Sequence, residues 1–208
     1  MKSIFKKGLS ILLVMCMLLT LAPVDMLQVQ AAGPSRSTAL DLTGTSLTYK
    51  TINNSPVTVN PSLTDITNTG EGWTWYTSTK VLLLNGISLE SNDEFAIKLP
   101  AGSSIVLASG SSNSVSNNAS GISGSSYGIL SEGGIGISGN GELNVFGGSS
   151  GNSYGIYCGG SFSTAYARIM SNGGHATENS YGIYIEGDAL IYDYANLNAI
   201  GGTAAAAS

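Results

Sequence analysis

Tyr157 and Tyr184 stand 27 residues apart in two near-identical phrases, "SYGIYCGG" from Ser153 and "SYGIYIEGD" from Ser180. A third copy, "SYGILSEGG" from Ser126, has Leu130 at that position, and "FAIKL" from Phe95 has Lys98. Tyrosines recurring at a fixed interval offer a platform for the apolar face of a sugar ring, provided the chain stacks its copies. Gly128, Gly155 and Gly182 share the parity of that column. Facing outward, they would leave a flat strip of backbone beside Lys98, Leu130, Tyr157 and Tyr184 on which a ligand could lie. The competing reading is that glycine relieves crowding near a bend and the tyrosines pack on one another.

The ionisable residues offer less. Glu186 and Asp188 share a face of one repeat, with Glu132 two repeats below Glu186, and these carboxylates are the candidates for a calcium ion. Calcium wants six to eight converging oxygens, and neither this group nor Glu90, Asp93 and Glu94 forms a dedicated loop, so solvated surface acids are the simpler reading. A glycosidase needs paired carboxylates and a lyase a base beside a metal cluster. Arg36, Lys50, Lys80, Lys98 and Arg168 have no acidic cluster beside them in the repeat columns. His175, in "GGHATENS", lacks an evident Asp or Ser partner for a triad. Catalysis ranks behind binding.

These residues must be positioned by short strands. Each period holds only alternations bounded by Gly, Asn and Ser, with no helical periodicity, and a repeat of this length marks a stacked array. If strands of successive repeats lie about 4.8 Å apart in a parallel coil, equivalent residues form columns. Strict alternation then makes Phe95, Tyr127, Tyr154 and Tyr181 one inward column, Ile97, Ile129, Ile156 and Ile183 a second, and Leu99, Ser131, Cys158 and Ile185 a third. Ile105, Ile137, Thr164 and Ile191 align, as do Leu143, Ile169 and Leu197, each of the last three followed by a glycine pair. Three strands per turn and about five turns over 71–208 predict an all-β parallel β-helix, a solenoid. Trp73 and Trp75 are best placed closing its amino end, with sugar binding as the alternative. The segment 32–70 reads as an irregular or short-stranded cap.

The first 31 residues read as a secretory signal peptide: Lys2, Lys6 and Lys7, an apolar run from Leu9 to Leu21, and a small-residue site ending at Ala31. Its removal predicts an extracellular protein, secreted or at the cell surface, with no membrane span in the mature chain. It leaves 5 of the 8 basic and 12 of the 13 acidic residues, a net charge near −7. A nucleic-acid partner would need a basic face, and none is available. Cys158 alone survives, so no internal disulfide forms. "GGTAAAAS" follows the last strand without a polar cap, which predicts a fragment, further repeats or domains, or a docked end.

"GWTWYTSTKVLLLNGISLE", "AIKLPAGSSIVLASGSSNSV" and the repeated "SYGIY" with "GNGELNVFGG" resemble secreted carbohydrate-binding domain-containing proteins of Gram-positive bacteria. The resemblance spans roughly 70–208 and implies a right-handed parallel β-helix like that of pectate lyases, polysaccharide as the partner and, in some members, calcium. It brings no diagnostic binding residues. The functional expectation is a non-catalytic polysaccharide-binding module. The alternatives are a stalk or adhesin segment of a larger surface protein and, behind it, a polysaccharide lyase.

Overall fold

An isoleucine that recurs once per repeat has little to pack against inside its own repeat, so it is buried only if neighbouring repeats lie over it. In the computed structural model they do. The structure describes residues 35–36, 39–44, 47–50, 56–59, 66–68 and 72–205, and the expected signal peptide lies outside them. Short strands precede the solenoid: β1 (Ser35–Arg36), β2 (Leu40–Asp41), β3 (Leu47–Lys50), β4 (Pro56–Val59), β5 (Ile66–Asn68) and β6 (Trp73–Tyr76). The first coil is β7 (Val81–Leu84), β8 (Ser88–Ser91) and β9 (Phe95–Leu99). The second is β10 (Ser103–Leu107), β11 (Ser112–Asn117) and β12 (Ile122–Ser131). The third is β13 (Ile135–Ser138), β14 (Glu142–Phe146) and β15 (Ser150–Cys158), and the fourth β16 (Phe162–Ala165), β17 (Arg168–Asn172) and β18 (Ala176–Ile185). β19 (Ala189–Tyr192) and β20 (Asn196–Ile200) follow. The chain is an all-β solenoid of about four coils, with two strands opening a fifth where five turns were expected, and no helix occurs among the described residues.

Three sheets run along the solenoid. β7, β10, β13, β16 and β19 form the first, β8, β11, β14, β17 and β20 the second, and β9, β12, β15 and β18 the third. All pairs between coils are parallel and keep the expected register: Ile129 lies on Ile97 and under Ile156, and Ile156 lies under Ile183. Ile97, Ile129 and Ile156 are fully buried, while Ile183, with less above it, is partly so. Each buried isoleucine contributes about 1.5–3 kcal/mol relative to exposure, a return that exists only once a neighbouring coil is in place.

Of the strands described within 32–70, β1, β2 and β5 join these sheets, while β3 and β4 pair with each other in a separate antiparallel sheet. β1 pairs in parallel with β8, and β2 with β9, placing Leu40 beneath Ile97 at the foot of its column. β5 and β6 extend the first sheet in antiparallel fashion from the free edge of β7. Trp73 and Trp75 project from β6 into the core and are 2 % and 1 % exposed, so they close the amino end of the coil.

Corners recur in register too. Gly139, Tyr166 and Asp193, each 27 residues from the next, follow the first-sheet strands at φ 106°, 59° and 52°. The turn imposes the left-handed conformation even where a tyrosine must adopt it.

Candidate functional site

Alternation fails at one point in every copy of the repeated phrase, and the candidate site is built there. Within the repeated phrase of β15, Ser153, Gly155, Ile156 and Cys158 are buried, while Tyr154 and Tyr157 stay half-exposed. Two consecutive residues, Gly155 and Ile156, therefore face inward, and the strand bends between them. The ladder skips this point, pairing Tyr154 with Tyr181 and Ile156 with Ile183 but not Gly155 with Gly182. Side chains of the neighbouring sheet take up backbone groups at the bend: Ser171 Oγ donates to the Gly182 carbonyl at 2.6 Å, and Asn117 Nδ2 to that of Tyr127 at 2.9 Å.

The bend reverses two sequence expectations. Gly128, Gly155 and Gly182 form no outward strip: all three are buried at the corner between the second and third sheets. A Cβ on Gly128 would lie 2.5 Å from Val145 Cγ1 and 2.7 Å from the Gly155 carbonyl oxygen, so these positions hold glycine because no side chain fits. The column Phe95, Tyr127, Tyr154 and Tyr181 is not core: Tyr127 and Tyr154 are half-exposed and Tyr181 is 36 % exposed.

Tyr127, Tyr154 and Tyr181 instead join Tyr157 and Tyr184 on the outer face of the third sheet. Within a column the rings stack: Tyr127 and Tyr154 have centroids 5.2 Å apart at 11°, Tyr154 and Tyr181 5.4 Å at 13°, and Tyr157 and Tyr184 5.5 Å at 13°. Between columns they meet edge to face, Tyr154 with Tyr157 at 5.3 Å and 81°, and Tyr154 with Tyr184 at 5.7 Å and 69°. The result is a herringbone of five rings drawn from three coils. Each such contact is worth about 0.5–1.5 kcal/mol beyond the area it buries. The self-packing of tyrosines weighed as an alternative is thus present, and it leaves all five residues partly accessible to solvent.

Polar groups rim the herringbone. The Tyr157 hydroxyl donates to Glu186 Oε1 at 2.5 Å, and this bond, with burial second, holds the phenol well above its ordinary pKa near 10. Burial, helped by the neighbouring tyrosines, raises that of Tyr154 as well. Asn179 Nδ2 donates to Asn152 Oδ1 at 2.9 Å, and Asn152 Nδ2 donates to Glu178 Oε2 at 2.8 Å. At the lower end Lys98 Nζ sits 2.8 Å from Glu132 Oε1 and 5.9 Å from the centre of the Phe95 ring. The hydrogen bond to Glu132 raises the Lys98 pKa. Leu130, in the column of Tyr157, is covered to 7 % exposure.

The proposed calcium ligands do not assemble. Glu132 pairs with Lys98, Glu186 takes the Tyr157 hydroxyl, and Asp188 lies exposed on the chain leading into β19. Among the described residues no three of His, Cys, Asp and Glu come close enough to share a cation. His175 Nδ1 contacts the Thr203 hydroxyl at 2.5 Å on an exposed loop. Cys158 is buried with its thiol directed at the carbonyls of Gly133, Gly160 and Ser161.

Tyr127, Tyr154 and Tyr181 were the outward residues that sequence reasoning missed. The available signal was the Tyr-Gly-Ile-Tyr spacing itself, since two tyrosines three apart share a strand face only if the strand bends between them.

No protein family, curated protein or solved structure matches the chain. No helix among the described residues is long and apolar enough to cross a membrane.

Proposed function

We propose that this chain is an extracellular, non-catalytic module that binds polysaccharide along the outer face of the third sheet. One observation carries the reading: five tyrosines from three successive coils lie on a single solvent-facing surface, repeated at the pitch of the coil. Tyrosine combines an apolar ring with a hydroxyl, which suits a ligand whose ring faces are apolar and whose edges carry hydroxyls. The bonded amide and carboxylate rim of Asn152, Asn179 and Glu178 adds polar groups beside the rings. Because three successive coils present a tyrosine in the same column, affinity rises with ligand length and short oligosaccharides bind weakly.

Retention on insoluble cellulose, xylan and mannan tests the reading. A Tyr154→Ala/Tyr157→Ala chain with an unchanged fold should lose most of the retention shown by the parent. Equal retention would remove the herringbone from the site.

A second reading, a stalk or adhesin segment, draws on Leu190, Ile191 and Tyr192 of β19, which are 58 %, 54 % and 50 % exposed and would be covered by an adjoining strand. Absence of retention on every polysaccharide, together with self-association that Ile191→Asp abolishes, would favour it.

A further inference from the structure

The outer face of the second sheet carries two adjacent columns of three residues. Glu142, Arg168 and Asn196 form one, and Asn144, Met170 and Asn198 the other, all in ladder register across β14, β17 and β20. They line an open groove of about 250 Å³.

Three features define what this groove can hold. Met170 separates Asn144 from Asn198, which stand two coils or about 9.6 Å apart, too far for the amides to bond to each other. Among the described residues nothing else pairs with the side-chain amides of Asn144, Asn196 or Asn198, whereas Asn152 and Asn179 of the third sheet, in adjacent coils, do bond. Each free amide offers both a donor and an acceptor, which is the complement of a hydroxyl. Met170, 38 % exposed, gives the centre of the groove a polarizable apolar floor. Arg168 is already bound to Glu142, so the groove presents no uncompensated charge. A carboxylated sugar would find no free cation here, and the chain as a whole carries −5.

We infer that this groove is a second binding site, taking an uncharged, hydroxyl-rich ligand such as a stretch of neutral glycan laid across three coils. It shares no residue with the tyrosine face and stands whether or not that face binds.

Affinity electrophoresis through gels holding hydroxyethylcellulose, arabinoxylan, galactomannan or polygalacturonate separates the two sites. A Tyr154→Ala/Tyr157→Ala chain should still be retarded by at least one of the three neutral polymers. Adding Asn144→Ala and Asn198→Ala should then weaken that retardation about tenfold, the effect of removing two modest hydrogen bonds. The amides are solvent-facing, so an unchanged melting temperature shows that any loss is not unfolding. Three results would each overturn the inference: undiminished retardation after the asparagine changes, retardation by polygalacturonate alone, or no retardation of the tyrosine variant by any neutral polymer.

Discussion

Tyr157 on β15 donates its hydroxyl to Glu186, which follows β18 in the next coil, so an outward ring of one coil is tied to the corner of the one above. The bond fixes the orientation of the Tyr157 ring, against which Tyr127, Tyr154 and Tyr184 are packed.

This bond makes stability depend on alkaline pH. The folded-state pKa of Tyr157 is raised by Glu186 first and burial second, and that of Tyr154 by burial first. A phenol whose folded pKa exceeds its unfolded value stabilises fully below the unfolded value, about 10, and loses that contribution as pH rises through the folded one. The denaturant midpoint should hold steady from about pH 7 to 9 and fall above about 10. In ultraviolet titration of phenolate, Glu186→Gln should let one tyrosine ionise earlier than in the parent. Superimposable curves would show that the carboxylate does not hold the phenol.

Gly155→Ala should destabilise the solenoid even though it adds one methyl group to a glycine in a strand. The new Cβ would lie 2.5 Å from the Gly182 carbonyl oxygen and 2.8 Å from that of Asn172, both backbone atoms of the adjacent coil or sheet. Overpacking of this kind costs about 1–3 kcal/mol. Urea denaturation measures it, and a change within error of zero would mean that the corner yields.

Ser153→Ala should cost a comparable amount by a different route. Ser153 is fully buried, its Oγ donates to the Gly148 carbonyl at 2.7 Å, and it accepts the Gly174 amide at 2.8 Å. Ser180 makes the equivalent bonds to Gly174 and Gly202, so the serines that open the second and third phrases hold the glycine pairs of adjoining coils together, whereas Ser126 bonds to the Ser150 hydroxyl. Removing it leaves buried backbone groups unpaired, at about 1–3 kcal/mol. A melting temperature equal to the parent's would show that water replaces the hydroxyl.

Much of the fold was legible because the later repeats are written at nearly constant length. The columns Ile129, Ile156 and Ile183, Ile137 and Thr164, and Leu143 and Ile169 follow from counting 26 or 27 residues, and the ladder reproduces them. The direction of the tyrosines was not legible in the same way. Alternation assigns Tyr154 and Ile156 to one face, yet Tyr154 points out and Ile156 in.

The sequence by itself determined vertical registry, since an interval of fixed length places like residues over like wherever parallel strands stack. Only the tertiary structure decided which face each column occupies. The bend at Gly128, Gly155 and Gly182 arises where the third sheet meets the ends of β14 and β17, a contact between residues far apart in the period. There the lack of room for a Cβ turns two successive residues inward and sends the tyrosines on either side out to solvent.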